Sequence, residues 1–201
     1  MHFATYWKMR IISGTSRGRR LATPMGHALR PTSDRVKESI FNILGEEVEG
    51  KVVLDLFAGT GNLGIEALSR GAGKVLFVEK GREALRIVQR NLHQCGFKGQ
   101  CEIIPKEVNR AIGILERRGE TFDLIFMDPP YEKGFIQRTL AKLNLCRIYH
   151  GGSVLVIEHS RRESLPKKME GWDLIRQKKM GDTMVSFFQA VEGIKEVRRD
   201  E

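Results

Sequence analysis

The sequence predicts an α/β fold in which a mostly parallel sheet is covered by helices on both faces and closed by an antiparallel hairpin. Short apolar runs rich in Val, Ile and Phe recur at residues 52–57, 74–79, 101–105, 122–127 and 153–158, with segments of helical spacing between them. These runs lack the polar alternation of a strand with one wet face, so both faces must be covered, as in parallel sheets with helical crossovers. After the fifth run the alternation stops, and Gly181-Asp182, between residues 172–180 and 183–190, marks the two-residue turn of an antiparallel pair. Seven strands follow, five of them parallel.

Ahead of the sheet, residues 10–13 and 20–22 read as a small hairpin around Thr15-Ser16-Arg17-Gly18-Arg19. Arg30-Pro31-Thr32-Ser33 then leads into a helix, with Ser33 as its N-cap and Val36, Ile40 and Leu44 on its buried face. Three crossover helices present their inward faces as Leu85, Val88, Leu92 and Cys95, then Val108, Ala111, Ile112 and Leu115, then Phe135, Ile136, Leu140 and Leu143. Right-handed crossovers fix the winding. The chain thus divides into an extra N-terminal segment (1–8), a basic extension of hairpin and helix (9–50), the sheet domain (51–190) and a charged tail (191–201).

A chain of 201 residues that is 41% apolar can bury one full core. No apolar run approaches the roughly 20 residues that cross a bilayer, and the first nine residues lack a long apolar signal region, so a cytoplasmic protein without membrane contact is expected. Cys95, Cys101 and Cys146 are odd in number and the five histidines lack ligand spacing, so neither a disulfide framework nor a metal is expected. The formal charge is +9, and residues 8–37 hold eight Lys or Arg against one acid, Asp34. That outlines a polyanion-binding segment, with a solvated basic surface as the competing reading.

Two motifs carry chemistry. Asp55-Leu56-Phe57-Ala58-Gly59-Thr60-Gly61-Asn62-Leu63-Gly64 follows the first strand and opens a helix, placing small residues where a backbone meets a ligand closely. Glu79 lies 20 residues beyond Gly59 at the end of the second strand, where a carboxylate accepts the ribose hydroxyls of an adenosine. Asp55 precedes the turn, where it suits the ammonium of a methionine moiety and would repel a pyrophosphate. Glu107, past the third strand, reads equally as an acceptor for the adenine amine or as a helix-terminal acid favoured by the macrodipole.

The second motif, Asp128-Pro129-Pro130-Tyr131, ends the fourth strand. Each proline fixes its own φ and biases its predecessor toward extended geometry, which aims the Asp128 side chain and the Pro129 carbonyl as two acceptors. Together they suit the two hydrogens of one exocyclic amine on a planar base, and Tyr131 suits stacking on that base once it is extruded. The reversal between first and fourth strands is where open parallel sheets bind ligands, so donor and acceptor meet there.

With these residues assembled, the chain resembles the bacterial 16S ribosomal RNA guanine-N2 methyltransferases. The resemblance rests on MRIISGTSRGRRL (9–21), LRPTSDRVKESIFNIL (29–44), LDLFAGTGNLGIEALSRGA (54–72) and FDLIFMDPPYEKG (122–134). It implies a class I, Rossmann-like methyltransferase fold, S-adenosylmethionine as cofactor, and 16S ribosomal RNA or a small-subunit assembly particle as partner of a monomeric enzyme. It implies cofactor contacts at Asp55, Gly59, Thr60, Gly61, Glu79 and Glu107, with catalysis at Asp128, Pro129, Pro130 and Tyr131. Within it, Arg10, Arg17, Arg19, Arg20, Arg30, Arg35 and Lys37 become candidate RNA contacts, supplying salt-dependent affinity through phosphates. Two departures stand out: residues 1–8 precede the usual start, which suggests Met9 as initiator, and Glu107 stands where the family often has Asp.

Three other readings stay open on the residues themselves. The tetrad accommodates the amine of a DNA adenine as well as that of guanine. A non-catalytic RNA-binding protein with a degenerate pocket would keep the basic segment alone, and a nicotinamide-dependent oxidoreductase would use the glycine turn without the tetrad.

Overall fold

The computed structural model describes residues 6–24, 34–166 and 169–191. Ser33, expected as an N-cap, and Arg30 lie outside these residues. In chain order the elements are β1 (Tyr6–Arg10), β2 (Arg20–Thr23), α1 (Asp34–Leu44), a 3-10 turn (Gly45–Val48), β3 (Val52–Asp55), α2 (Asn62–Ser69), β4 (Lys74–Val78) and α3 (Arg82–Cys95). There follow β5 (Cys101–Ile104), α4 (Val108–Arg117), β6 (Phe122–Met127), α5 (Phe135–Leu145), β7 (Tyr149–Ser160), β8 (Trp172–Met180) and β9 (Thr183–Ala190).

The main sheet has seven strands in the order β5-β4-β3-β6-β7-β9-β8. Strands β3 to β7 run parallel, and β9 pairs antiparallel with both β7 and β8. The expected topology is therefore found, with the hairpin's second strand inserted next to β7. Each parallel strand sends alternate side chains to opposite faces. Val53, Phe77, Leu124 and Phe126 pack with α1, α2 and α3 on one side. Leu54, Val78, Ile125 and Met127 pack with α4 and α5 on the other. Met9, Ile11, Leu21, Ile40 and Phe41 belong to the first of these cores, so the basic extension completes the domain's own interior.

Several boundaries move. The parallel strands β3, β4 and β5 stop one or two residues before the end of their apolar runs, because the chain turns there toward the ligand edge. Strand β7 starts at Tyr149, four residues earlier than expected, since Phe122 pairs with Tyr149 and the Gly151-Gly152 step is carried within the strand. The first hairpin strand, expected at 10–13, instead runs Tyr6–Arg10. Ile12 and Ser13 leave the ribbon because the buried Glu66 carboxylate takes their N–H groups at 2.8 and 3.0 Å. Leu85 and Phe135, expected on buried helix faces, are only half-buried.

Strand β8 is the exposed edge of the sheet, and Arg176, Lys178 and Lys179 lie along it. Charged side chains on an edge oppose pairing with another chain. Among the described residues no helix is long and apolar enough to cross a membrane.

Candidate active site

A cleft of about 440 Å³ opens at the C-terminal ends of β3, β4, β5 and β6, where the strand order reverses. Gly59, Glu79, Glu107, Asp128, Pro129, Pro130 and Tyr131 all line it. The glycine turn and the proline tetrad, 69 residues apart from Gly59 to Asp128, thus share one cavity. A volume in this range suits a small-molecule cofactor, and the remaining wall is partly apolar. Phe57 and Phe135 form that apolar wall, their rings meeting edge-on with centroids 5.8 Å apart.

Glu79 is held rigidly. Its Oε2 accepts the Gly59 N–H at 2.9 Å, and its Oε1 accepts the N–H groups of Lys80 at 2.8 Å and Gly81 at 2.6 Å. Three donors orient the carboxylate and leave acceptor capacity toward the cleft. Glu107 caps α4, its Oε2 accepting the N–H groups of Asn109 at 3.0 Å and Arg110 at 3.3 Å, while it also faces the cavity. The helix-terminal role expected of it is present.

Asp55, Thr60 and Gly61 are not brought to the cleft wall. Asp55 is 2% exposed beneath the glycine turn, where it accepts the Gly64 N–H at 3.1 Å. Burial pushes its pKa up to about 7, with the Glu79 charge adding to the rise and the Gly64 hydrogen bond opposing it. The Thr60 carbonyl accepts from Asn91 Nδ2 at 2.9 Å, which fastens the turn to α3. Gly61 sits at φ +84°, and a Cβ there would lie 2.7 Å from the Val88 side chain, so its smallness serves helix packing.

The tetrad spans the cleft's far wall. Asp128 is half-buried, Pro129 buried and Pro130 exposed. Tyr131 is half-buried, and its hydroxyl donates to Glu158 Oε1 at 2.9 Å, with Thr183 Oγ1 at 3.4 Å. Burial, with the Glu158 carboxylate alongside, raises the phenol's pKa, so it stays protonated and donating.

The candidate RNA contacts divide. Arg10, Arg17, Arg19, Arg20 and Arg35 are exposed, Arg19 donating to the Gln94 carbonyl. Lys37 is a correction: its side chain is 0% exposed, and Nζ donates to the Arg10 carbonyl at 2.6 Å and Asn62 Oδ1 at 2.7 Å while pairing with Glu66 at 3.3 Å. Burial lowers its pKa against the pull of Glu66, and no nucleic acid reaches it. The Arg17 to Arg19 turn packs on the C-terminal ends of α2 and α3, through Thr15 to Ser69 and Ser16 to Cys95. The cleft lies at the opposite ends of those helices, roughly 12 to 20 Å away at 1.5 Å per residue. Nearer cations escape sequence reasoning: Lys80, Lys106 and Lys133 line the cavity itself. Each directly follows or closely neighbours a motif residue, but single lysines at loop starts carry no periodic signal. Glu158 and Thr183 escape it too, because their partner Tyr131 is distant in sequence.

A seven-stranded sheet of this order, with a glycine turn after its first parallel strand and a proline-stiffened tetrad after its fourth, is a class I, Rossmann-like methyltransferase fold. The chain belongs to the family described as Conserved hypothetical protein 95, whose pattern matches residues 9–189. It is 36% identical over 181 residues to the putative rRNA methyltransferase YlbH of Bacillus subtilis, covering 90% of this chain and 98% of that protein. It is 32% identical over 182 residues to the ribosomal RNA small subunit methyltransferase D of Escherichia coli, covering 90% of each. A solved structure, the putative methyltransferase yhhF from Escherichia coli, superposes with a TM-score of 0.80 at 32% identity over 92% of this chain and 99% of that one. These relatives bear out the resemblance to small-subunit ribosomal RNA methyltransferases drawn from the motifs.

Proposed function

We propose that this protein methylates the exocyclic N2 amine of a guanine in 16S ribosomal RNA, free or in a small-subunit assembly particle, with S-adenosylmethionine as donor. The observation that carries this reading is the shared cavity: the Glu79 carboxylate and the Asp128 tetrad face one space at the sheet's reversal point. The names of the relatives support ribosomal RNA as substrate. The donor supplies a methyl group on a positively charged sulfur, an electrophile that needs no metal.

The protein's residues supply placement and charge. Glu79, fixed by three backbone N–H groups, accepts the ribose hydroxyls, and Phe57 and Phe135 keep water from the reacting end. Asp55 bears on the donor from below, by shaping the glycine turn through Gly64. The base, flipped from its strand, lies against Tyr131, while the Asp128 carboxylate and the Pro129 carbonyl each accept one hydrogen of its amine. This turns the nitrogen toward the donor and stabilises the positive charge that grows on it, without reorganisation of the site. Holding the amine at the end of the cleft where the donor's methyl group would lie supplies the proximity effect, and Asp128 accepts the proton that the amine sheds. Lys80, Lys106 and Lys133 meet nearby phosphates, and Arg17, Arg19 and Arg20 meet RNA about a helix length away.

The direct test is tritiated methyl transfer into ribosomal RNA, small-subunit particles and duplex DNA, followed by mass spectrometry of ribosomal RNA from a deletion strain. Label in the RNA or particle, and one N2-methylguanine missing from the deletion strain, are expected. Label confined to DNA would replace the reading with adenine methylation.

A further inference from the structure

The loop that carries the tetrad is gripped from outside the cleft. Tyr131 donates its hydroxyl to Glu158 on β7 at 2.9 Å, and Thr183 at the start of β9 lies 3.4 Å from the same oxygen. The next residue, Glu132, is held by a second contact, Ser160 Oγ donating to its Oε1 at 3.3 Å. Glu132 has φ +59°, the sole left-handed non-glycine residue among those described. Such a conformation persists only where its surroundings enforce it. Ser160 pairs with Thr183 in the sheet, and Arg161 N–H closes the same end by donating to the Asp182 carbonyl at 2.9 Å. Glu158, Ser160 and Thr183 are all buried, 6%, 6% and 4% exposed.

A buried carboxylate at a sheet's C-terminal edge is costly unless its charge is used. Here it faces a phenol whose ring lines the cavity, and a hydrogen bond to a charged acceptor is stronger than a neutral one. A ring that must lie at one tilt against a flat base needs a fixed hydroxyl, because rotation about its side-chain bonds would otherwise be limited only by packing.

We propose that Glu158 and Thr183 are positioning residues for methyl transfer, clamping the Tyr131 hydroxyl so that its ring meets the flipped base at one fixed tilt. The inserted strand β9 thereby serves the active site, since it delivers Thr183 to the clamp. This rests on the functional reading above. Neither residue touches donor or base, so their loss slows the methyl-transfer step and spares donor binding.

Single-turnover methyl transfer to small-subunit RNA at saturating donor is compared for the wild type, Tyr131→Phe, Glu158→Gln, Glu158→Ala and the double variant Tyr131→Phe with Glu158→Ala. Donor affinity by calorimetry and thermal melting are followed in parallel. Tyr131→Phe, which keeps the ring and removes only the hydroxyl, is expected to slow transfer about tenfold, the scale of one charge-assisted hydrogen bond. Its donor affinity stays within about twofold. Glu158→Gln keeps an acceptor and recovers to within about threefold of the wild-type rate, whereas the double variant is no slower than Glu158→Ala, as expected for a shared contact. A Tyr131→Phe rate equal to wild type, or losses that multiply in the double variant, overturns the clamp while leaving the function intact. A wild type that transfers nothing to small-subunit RNA overturns the function, and the clamp falls with it.

Discussion

Replacing Lys37 by Met distinguishes two incompatible roles for one lysine. From sequence it belongs to a basic segment that meets RNA; in the structure its ammonium is enclosed between the Arg10 carbonyl, Asn62 Oδ1 and Glu66, with no exposed surface. Methionine nearly matches the volume, so cavity formation contributes little. The substitution removes one partner of a buried ion pair, which costs about 3–5 kcal/mol because the remaining groups stay desolvated. For a domain of this size each kcal/mol lowers Tm by about 2–4 °C, so a fall of roughly 6–20 °C is expected. Urea unfolding should show the midpoint shifted at unchanged slope, since the exposed surface on unfolding is the same. Glu66→Met should cost more than Lys37→Met, because it strands the N–H groups of Ile12 and Ser13 and the Arg70 guanidinium as well. A stability loss under about 1 kcal/mol for Lys37→Met, with the salt slope of RNA binding reduced by the equivalent of about one phosphate, would refute the buried assignment.

Asp128→Ala should leave donor affinity within about twofold by calorimetry and lower turnover about 10²- to 10³-fold, the scale of a fixed charge-stabilising group; unchanged single-turnover chemistry would remove Asp128 from its role. Asp55 is raised to about 7 in the folded protein against 3.8 when unfolded, so the folded state holds a proton that the unfolded chain has released between those values. Its contribution is whole below about pH 4 and is lost as pH rises through 7, on the order of 4 kcal/mol in total. Asp55→Asn should accordingly lose less stability than wild type between pH 5 and 8 in urea titrations, and parallel pH profiles would contradict the assignment. Gly14 has φ +83° and a Cβ there would lie 1.7 Å from the Ser69 carbonyl oxygen, so Gly14→Ala should cost at least about 2 kcal/mol in the same titration. Removing Lys80 and Lys133 together should flatten the salt dependence of RNA binding by about 0.7 for each phosphate that a lysine neutralises, and an unchanged slope would show that these lysines do not face the backbone.

The fold is readable because a parallel sheet buried on both faces writes itself as apolar runs, and all five runs form strands, four of them within two residues of their expected limits and β7 extended at both ends. The tetrad and Glu79 are readable because both sit at strand ends, which the doubly wound topology brings to one edge whatever the loops do. Asp55 and Gly61 are legible as motif residues but not in position: whether a motif side chain faces a ligand or supports the turn depends on the rotation of a strand's last residue, which spacing does not encode. Lys37 misleads for a related reason. Four residues before Phe41 on α1, a long cation reads as a surface residue, and partners distant in sequence, the Arg10 carbonyl with Asn62 and Glu66 on α2, make its burial tolerable. The clamp on Tyr131 is invisible in sequence because it joins residues 131, 158 and 183, which meet only once β9 inserts beside β7.

These differences point the same way, toward an extension that supports the cofactor turn as well as carrying charge. Asn91 on α3 holds the Thr60 carbonyl with the same amide that bonds the Ala22 carbonyl, and its oxygen accepts the Ala22 N–H at 2.8 Å. Lys37 reaches Asn62, the first residue of α2. The first turn of that helix is thus tied to β2 and α1, and its last residue, Ser69, to the basic turn through Ser13 and Ser16. The basic turn that carries Arg17 and Arg19 therefore sits at one end of a helix whose other end shapes the glycine turn. Deleting the extension would remove candidate RNA contacts and, at the same time, unfasten both ends of α2. Loss of donor binding on its removal therefore follows from the core it completes, and only charge substitutions that keep Met9, Ile11 and Leu21 in place can isolate its part in recognising RNA.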